Sequence, residues 1–392
     1  MLIISYFFHP CILTASQRVF SWAKYLNKFG YRPVILTRRW DNKINSLADI
    51  SKETPSEILL ESNENYDVYF LPYQPNLRDK IYVKFGEHKY SGIRRLLTFF
   101  ELLFQNFFTA IIPYCNLFSY AEELIKKDNS ISKVIISGNP YNTFKIGFSL
   151  NKKFRVKWIA DYRDAWTSSE IRLAHSPFIF KVINQFDAYF EKKWVSTASY
   201  ITASSSPIAN SISHLCGVKS EALYNGFVQE DFDGISNGKY DTFTITYVGT
   251  LYAGQKVEIF CTALKKLIDT TRDIRIKLYF PGLSFYKEQA QRIVEVMKGY
   301  EKYYECTLRV ERSKILEIEK RSHLLFHVAW DENPGIIASK IYEYIASGTF
   351  ILVAPSDHGS IQEIIELSKC GRCTNTVDET FAERANHLHI AK

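Results

Sequence analysis

Long hydrophobic runs are scarce in this 392-residue chain. The most apolar stretch, Leu96–Ile112, is broken by Glu101, Gln105 and Asn106. It falls short of the ~20 residues that a helix needs to span a bilayer. Recognisable metal-ligand spacing is missing too, because the seven cysteines are scattered and no H-E-x-x-H or doubled C-x-x-C occurs. No metal site is expected. The start reads as lacking a secretory leader, so a reduced, cytoplasmic setting without disulfides is expected. Cys370-Gly-Arg-Cys373 has redox spacing but no thioredoxin-like surroundings. No G-x-G-x-x-G follows the first apolar run, which removes the usual support for an NAD-type oxidoreductase. The basic residues form no stripe, which argues against nucleic acid as a partner. Methionine is rare, two residues against 25 Tyr and 28 Phe, and carries no functional reading.

What is present is an ordinary globular composition, 46% apolar and 23% charged. The net charge of +7 is uneven: residues 1–235 hold 28 Lys/Arg against 22 Asp/Glu, and the remainder 21 against 20. A basic first half suits an anionic membrane surface or a diphosphate-bearing acceptor. The basicity is densest in residues 78–95, with six Lys/Arg against two Asp/Glu, just ahead of Leu96–Ile112. That pairing predicts either a buried helix or an in-plane helix on anionic lipid.

The rhythm along the chain is that of alternating strands and helices. Leu2–Phe8 reads as a buried strand, Gln17–Phe29 as a 3.6-period helix closed by Gly30, and Arg32–Thr37 as a strand. Lys133–Ser137, Lys157–Ala160 and Tyr200–Ala203 continue the series. The polar stretch 236–241 is the best linker candidate. Beyond it, strands are expected at Phe243–Val248, Ile274–Phe280, Thr307–Glu311, His323–Val328 and Phe350–Ala354. Two α/β domains follow, each with a ligand edge at the carboxyl ends of its strands.

The most informative segment is Gly335-Ile-Ile-Ala-Ser-Lys-Ile-Tyr-Glu-Tyr-Ile-Ala-Ser-Gly348, followed after Thr349 by an apolar strand. Lys340 and Glu343 share one face of a short helix that stops at Gly348. A cation at a helix start opposes the macrodipole unless both serve an anionic ligand. A glutamate one turn further in can accept hydrogen bonds from a diol, and phosphate beside a diol describes a nucleotide. The plainer alternative is a surface Lys–Glu pair.

This segment resembles the donor-site motif of GT-B glycosyltransferases, in particular the retaining family 4 group. Further blocks resemble the same family in order: Tyr6-Phe-Phe-His-Pro10 with Ala15-Ser-Gln-Arg18, Ile136–Pro140, Trp158–Trp166, and Tyr247–Tyr252. The resemblance implies a GT-B architecture: two Rossmann-like domains with parallel sheets facing across a cleft. Residues 1–235 would bind the acceptor and residues 236–392 the nucleotide-sugar donor, with the final crossover helix either incomplete or replaced by a different closure of the cleft. It implies donor contacts at Ser16, Arg18, Gly249, Thr250, Lys256, Gly335, Ile336, Ser339, Lys340 and Glu343. Arg163, Asp164 and Lys256 take catalytic positions, and Asn139 and Asp161 lie on the acceptor side.

The chain departs from the family pattern at informative places. Thr250 stands where an Arg is usual, which leaves Lys256 and Lys340 as the expected diphosphate cations. The first of the family's two glutamates falls on Gly335 and the second on Glu343. Arg163 replaces the familiar His before Asp164; an Arg cannot act as a base but can hold a hydroxyl or phosphate. A structural Arg–Asp pair is the alternative there, and a solvated helix-start lysine the alternative for Lys256. Asn225-Gly226 reads as a turn, and His9 and His358 as structural loop histidines. The expected activity is metal-independent, cofactor-free transfer of a sugar from a UDP- or GDP-type donor, with retention, to a glycan or lipid-linked acceptor in bacterial surface polysaccharide assembly. The setting would be cytoplasmic, with attachment to the inner membrane face as an added expectation. An epimerase of the same fold and a non-catalytic nucleotide-sugar-binding subunit are the rival readings.

Overall fold

The computed structural model describes residues 1–11, 13–40, 47–168, 178–271, 275–285, 287–330 and 335–390. The chain divides into two compact units, Met1–Tyr224 and Asn225–Lys392.

The first unit is built on an eight-stranded sheet. Its strands are β1 (Leu2–Ser5), β2 (Val34–Arg38), β3 (Leu59–Ser62), β4 (Asp67–Leu71), β5 (Lys133–Gly138), β6 (Lys157–Tyr162), β7 (Tyr200–Ala203) and β8 (Ser220–Ala222). The order is β3-β4-β2-β1-β5-β6-β7-β8, parallel throughout except for β3, which runs antiparallel to β4 at the edge. The central strands are apolar runs, as strands covered on both faces must be. Leu2, Ile3 and Ile4 pair with Val34, Ile35 and Leu36 on one side and with Val134, Ile135 and Ile136 on the other.

Its helices are α1 (Gln17–Tyr25), α2 (Leu47–Ile50), α3 (Leu77–Phe85), α4 (Ser91–Phe104), α5 (Asn116–Lys127), α6 (Phe144–Phe154), α7 (Phe178–Val195) and α8 (Ser206–Cys216). The first helix forms as the 3.6 period predicts and passes through a 3-10 turn to Gly30, whose φ of +78° takes the left-handed cap. Val19 and Ala23 are buried, but the 3-10 turn rotates Phe29 into solvent. None of the fourteen residues of α4 is buried, so Ser91–Phe104 is not a core helix of this unit. No helix among the described residues is long and apolar enough to cross a membrane.

The second unit carries six parallel strands: β9 (Phe243–Thr246), β10 (Ile276–Phe280), β11 (Tyr304–Cys306), β12 (Leu324–His327), β13 (Phe350–Val353) and β14 (Gly371–Cys373). Their order is β11-β10-β9-β12-β13-β14. The chain winds one way from β9 and then restarts beside it at β12, so the topological switch point lies between these two strands. The helices are α9 (Val257–Thr270), α10 (Lys287–Val296), α11 (Arg312–Arg321), α12 (Lys340–Ser347), α13 (Ser360–Ser368) and α14 (Val377–Ile390). Gly348, at φ +69°, ends α12 as expected.

Three expectations need correction. The division falls at Tyr224/Asn225, not 235/236, because buried Phe232 and the Asp231–Arg312 ion pair tie the intervening residues to the second unit. The polar stretch 236–241 is no linker either: Lys239 Nζ donates to the carbonyls of Lys320 and Ser322, each at 2.8 Å. The strand expected at Thr307–Glu311 is irregular, and the true strand is Tyr304–Cys306. Thr307 N–H makes one last bond to the Phe280 carbonyl, after which Leu308 and Val310 turn outward. Ile274, the expected first residue of β10, lies outside the described residues.

Candidate functional site

In the second unit the chain leaves β9 through Tyr247 and Val248 into a turn at Gly249, whose φ is +89°. A side chain there would be strained, and a Cβ would stand 3.8 Å from Lys340 Nζ. Lys340 opens α12 and reaches back to the β9 end. Its Nζ donates to the Val248 carbonyl at 2.7 Å and lies 3.8 Å over the Tyr247 ring. The Tyr344 hydroxyl, one turn along, accepts from Val248 N–H at 2.8 Å. Lys340 is only partly covered as a residue, but its ammonium is withdrawn from water, and this desolvation lowers its pKa to about 7, with Glu319 pulling the other way.

Two buried groups missed from the sequence lie within electrostatic reach of that ammonium. Glu319, on α11, is fully buried, and neither carboxylate oxygen has a hydrogen-bond partner among the described residues. Burial, then nearby Glu343, raise its pKa well above the usual carboxylate value, against the pull of Arg312 and Lys340. His327, at the end of β12, has an unpartnered Nδ1, and burial with Lys340 lowers its pKa. Glu343 sits one turn beyond Lys340 and pairs with Arg312, which also holds Asp231 at 3.0 Å. The Lys340–Glu343 face is therefore not a simple surface pair.

The loop after Gly249 is held closely. Arg292 forms a forked pair with Glu258 and donates to the carbonyls of Tyr252, Ala253 and Gln255. Gln255 reaches the Val328 carbonyl with its amide, tying the β9 loop to the end of β12. The exposed Tyr252 ring stands 5.7 Å from that of Trp330. Thr250 is half-buried and lends its carbonyl to the Tyr247 hydroxyl at 2.9 Å. Lys256 is exposed at the N-terminal boundary of α9. Gly335 and Ile336 lie on the loop before α12, and Ser339 is at its N-cap position without a capping side-chain bond.

The first unit treats its expected residues differently. Arg18 and Asp161 form a buried ion pair, with Nη2 to Oδ1 at 2.7 Å, and Ser137 and Thr202 hydroxyls donate to the same carboxylate at 2.8 Å. Arg18 Nη1 also donates to the Leu223 carbonyl. Their side chains are 4% and 0% exposed, so the helix-to-sheet pair sits in the interior and not on a ligand surface. Ser16 is likewise buried, its hydroxyl donating to the Cys11 and Leu13 carbonyls. Arg18, Asp161 and Ser16 were expected as ligand contacts; the structure makes them internal struts.

Asn139 and Asp164 do share a surface. Together with Tyr141, Trp166, Gln105 and Asp187 they line a cavity of about 420 Å³. The Tyr141 and Trp166 rings stack at 5.4 Å, and the Tyr141 hydroxyl donates to the Asp164 carbonyl at 2.8 Å. Arg163 pairs with Asp164 at 3.1 Å beside it. Among the described residues no group of three or more His, Cys, Asp or Glu is disposed to hold a metal ion. Cys373 lies on β14, and burial pushes its thiol up to about 12, which is unsuited to redox exchange.

No protein-family model matches the sequence, nor does any curated protein. Solved structures do match. A sucrose-phosphate synthase from Thermosynechococcus elongatus aligns with a TM-score of 0.60 at 12% identity, over 100% of this chain and 90% of its own. A UDP-forming α,α-trehalose-phosphate synthase from Burkholderia vietnamiensis aligns at 0.57 and 10% identity, over 99% and 91%. HepE from Anabaena, in complex with UDP, aligns at 0.55 and 13% identity, over 96% and 85%. Likeness at such low identity speaks for architecture alone. With a switch-point parallel sheet in its second unit and an eight-stranded sheet in its first, the chain has the GT-B fold.

Proposed function

We propose that this protein is a glycosyltransferase that moves a sugar from a nucleotide diphosphate to a hydroxyl acceptor. One observation carries the reading: a partly desolvated ammonium, Lys340, stands at the Gly249 turn on the switch point, with Glu343 one helical turn behind it. Negative charge building on a leaving diphosphate needs such a cation together with helix-start N–H groups. In this reading Lys340 and Lys256 take that charge and no resident metal is required. Glu343 accepts from the ribose hydroxyls, sharing Arg312 or displacing it. Exposed Tyr252 and half-buried Trp330, their rings tilted by 38°, offer an aromatic surface to the base or the sugar. HepE binds UDP and the trehalose-phosphate synthase is UDP-forming, which supports a UDP donor ahead of a GDP one.

In the first unit, the cavity bearing Asn139 and Asp164, with Arg163 at its side, is our candidate for the acceptor. Amide and carboxylate groups beside stacked aromatic rings suit a polyhydroxylated sugar. Membership of retaining family 4 and a role in surface polysaccharide assembly are the finer part of the proposal and rest on the motif resemblance. Retention would let the leaving phosphate help deprotonate the acceptor, so no separate base is demanded.

Calorimetric titration with UDP tests the site. Glu343→Ala should weaken binding by about 1.5–3 kcal/mol, the range for a hydrogen bond to a charged group, while EDTA leaves wild-type binding intact. Unchanged affinity in a folded Glu343→Ala protein, or strict dependence on Mg²⁺ or Mn²⁺, would overturn the assignment. Incubation with donor alone separates the epimerase reading, which requires an epimer to accumulate without acceptor.

A further inference from the structure

The first unit exposes an apolar surface that the proposed chemistry does not use. Ile93, Leu96, Phe100 and Phe104 recur at the spacing that puts them on one face of α4. All four are exposed, Leu96 at 55%. Beyond the helix the surface continues through Phe107, Phe108 and Ile111, with Phe108 at 61%. Phe100 stacks on Phe104 at 6.4 Å, and Phe104 meets Phe108 at 6.4 Å, so the rings form a continuous ridge. Beside it a groove of about 450 Å³ is lined by Leu77, Leu97, Phe100, Phe104, Phe108 and Ile111, among others. Phe107 packs on Phe190 at 4.9 Å, and exposed Phe186 and Tyr189 carry the surface onto α7.

The charge beside this surface is predominantly positive, with exposed Glu87 between α3 and α4 as the exception. Lys80, Lys84, Lys89 and Arg95 are exposed, and among the described residues none of them pairs with a carboxylate. The nearby carboxylates Asp79 and Glu101 are already taken by Arg78, at 2.9 and 3.0 Å, a clamp that joins α3 to α4. A protein partner would need an acidic rim around an apolar centre. A bilayer supplies both features without further fitting: anionic headgroups for the cations and the acyl boundary for the aromatic ridge. At fourteen residues α4 is too short to cross a bilayer, so it lies in the surface plane.

We propose that the face formed by α3, α4 and residues 105–111 docks in the plane of an anionic lipid bilayer. Leu102, on the opposite side of α4, and Gln105 line the polar cavity that holds Asn139 and Asp164. Docking therefore leaves about one helix diameter, ~10 Å, between that cavity and the lipid surface. The surface stands on its own exposure and charge, and the donor reading does not enter into it.

Co-sedimentation of the full chain with phosphatidylcholine vesicles containing increasing phosphatidylglycerol tests the proposal. Binding should rise with the anionic fraction and fall with added salt. Each of Lys84→Gln, Lys89→Gln and Arg95→Gln should weaken partitioning about fivefold at low salt, the equivalent of about 1 kcal/mol per charge. Phe100→Ser with Phe108→Ser should weaken it further, and melting curves show that each variant is folded. The charge variants, being on the surface, keep the test sound even if the double serine variant fails to fold. Equal recovery in the supernatant at every lipid composition would overturn the proposal, as would binding insensitive to these substitutions. So would a lipid-free dimer that Phe100→Ser dissolves, because a second copy would then cover the face.

Discussion

At Lys340 the binding of a proton and the binding of an anionic ligand favour one another. Its ammonium faces the Tyr247 ring and the Val248 carbonyl, with His327 from β12, Glu319 and Arg312 from α11 and Glu343 on its own helix completing the charged surroundings. Desolvation lowers its pKa to about 7. The unfolded chain therefore holds this proton more tightly than the folded one. Its contribution opposes folding below about 7, and stability recovers as pH rises from there toward the ordinary lysine value. A bound diphosphate reverses the bias by favouring the charged form. UDP binding should thus take up a proton, and affinity should fall above about pH 7, approaching tenfold per unit at the steepest. Titrations in buffers of different ionisation enthalpy measure the uptake directly. Lys340→Met should abolish it and flatten the pH profile; a persistent slope in that variant would move the proton to another group.

The same residue shows why half the site was legible in the sequence. Lys340 and Glu343 lie three apart on one helix, so local periodicity alone put them on a common face. Their partners come through topology. Val248 is 92 residues from Lys340, and Arg312 reaches Glu343 from a separate helix. The Arg18–Asp161 pair spans 143 residues, and no local pattern distinguishes an arginine bound for the interior from one bound for a ligand.

At the level of elements, the strands buried on both faces were legible because they are unbroken apolar runs. Most of those missed are marginal ones, although β4, five residues long and paired on both sides, was missed as well. The edge strand β3 is mostly exposed along its length, and β8 and β14 have three residues each. One close approach between elements yields a clean stability test. A Cβ on Gly147 of α6 would lie 2.4 Å from the Trp158 ring of β6, so glycine is what lets this helix lie on this strand. Gly147→Ala should cost about 1–3 kcal/mol by overpacking. Gly92, on α4, has nothing within 4 Å of its notional Cβ. Gly92→Ala should therefore be neutral or stabilising by about 0.5–1 kcal/mol, through helix propensity alone. Denaturant midpoints of the two variants decide the matter, and equal shifts would show that the α6–β6 contact is looser than described.

At the scale of the whole molecule, each unit has a core of its own, one around Trp158, Tyr162 and Trp194 and the other around Tyr247, Phe260 and Phe326. Unfolding of such a chain need not be two-state. A ligand confined to the second unit should stabilise that unit's transition first. At a hundredfold excess over Kd the gain is ~2.7 kcal/mol. That corresponds to a rise of roughly 5–11 °C for a unit of this size. Calorimetry with and without UDP should show one component moving by that amount and the other holding still. Movement of the component belonging to Met1–Tyr224 alone would relocate nucleotide binding.

The guanidinium of Arg292 closes the loop 252–255 by gathering its carbonyls, with Glu258 fixing the fork. Carbonyls drawn inward toward one cation cannot turn outward, so the face this loop shows to a visitor is depleted in acceptors. The consequence is a bias of sign: electron-rich groups approaching that edge meet fewer free lone pairs, and a cationic or donor-rich intruder finds less to hold. Lysine in place of Arg292 would keep the charge but not the planar fork, and so would lose the gathering that makes the bias.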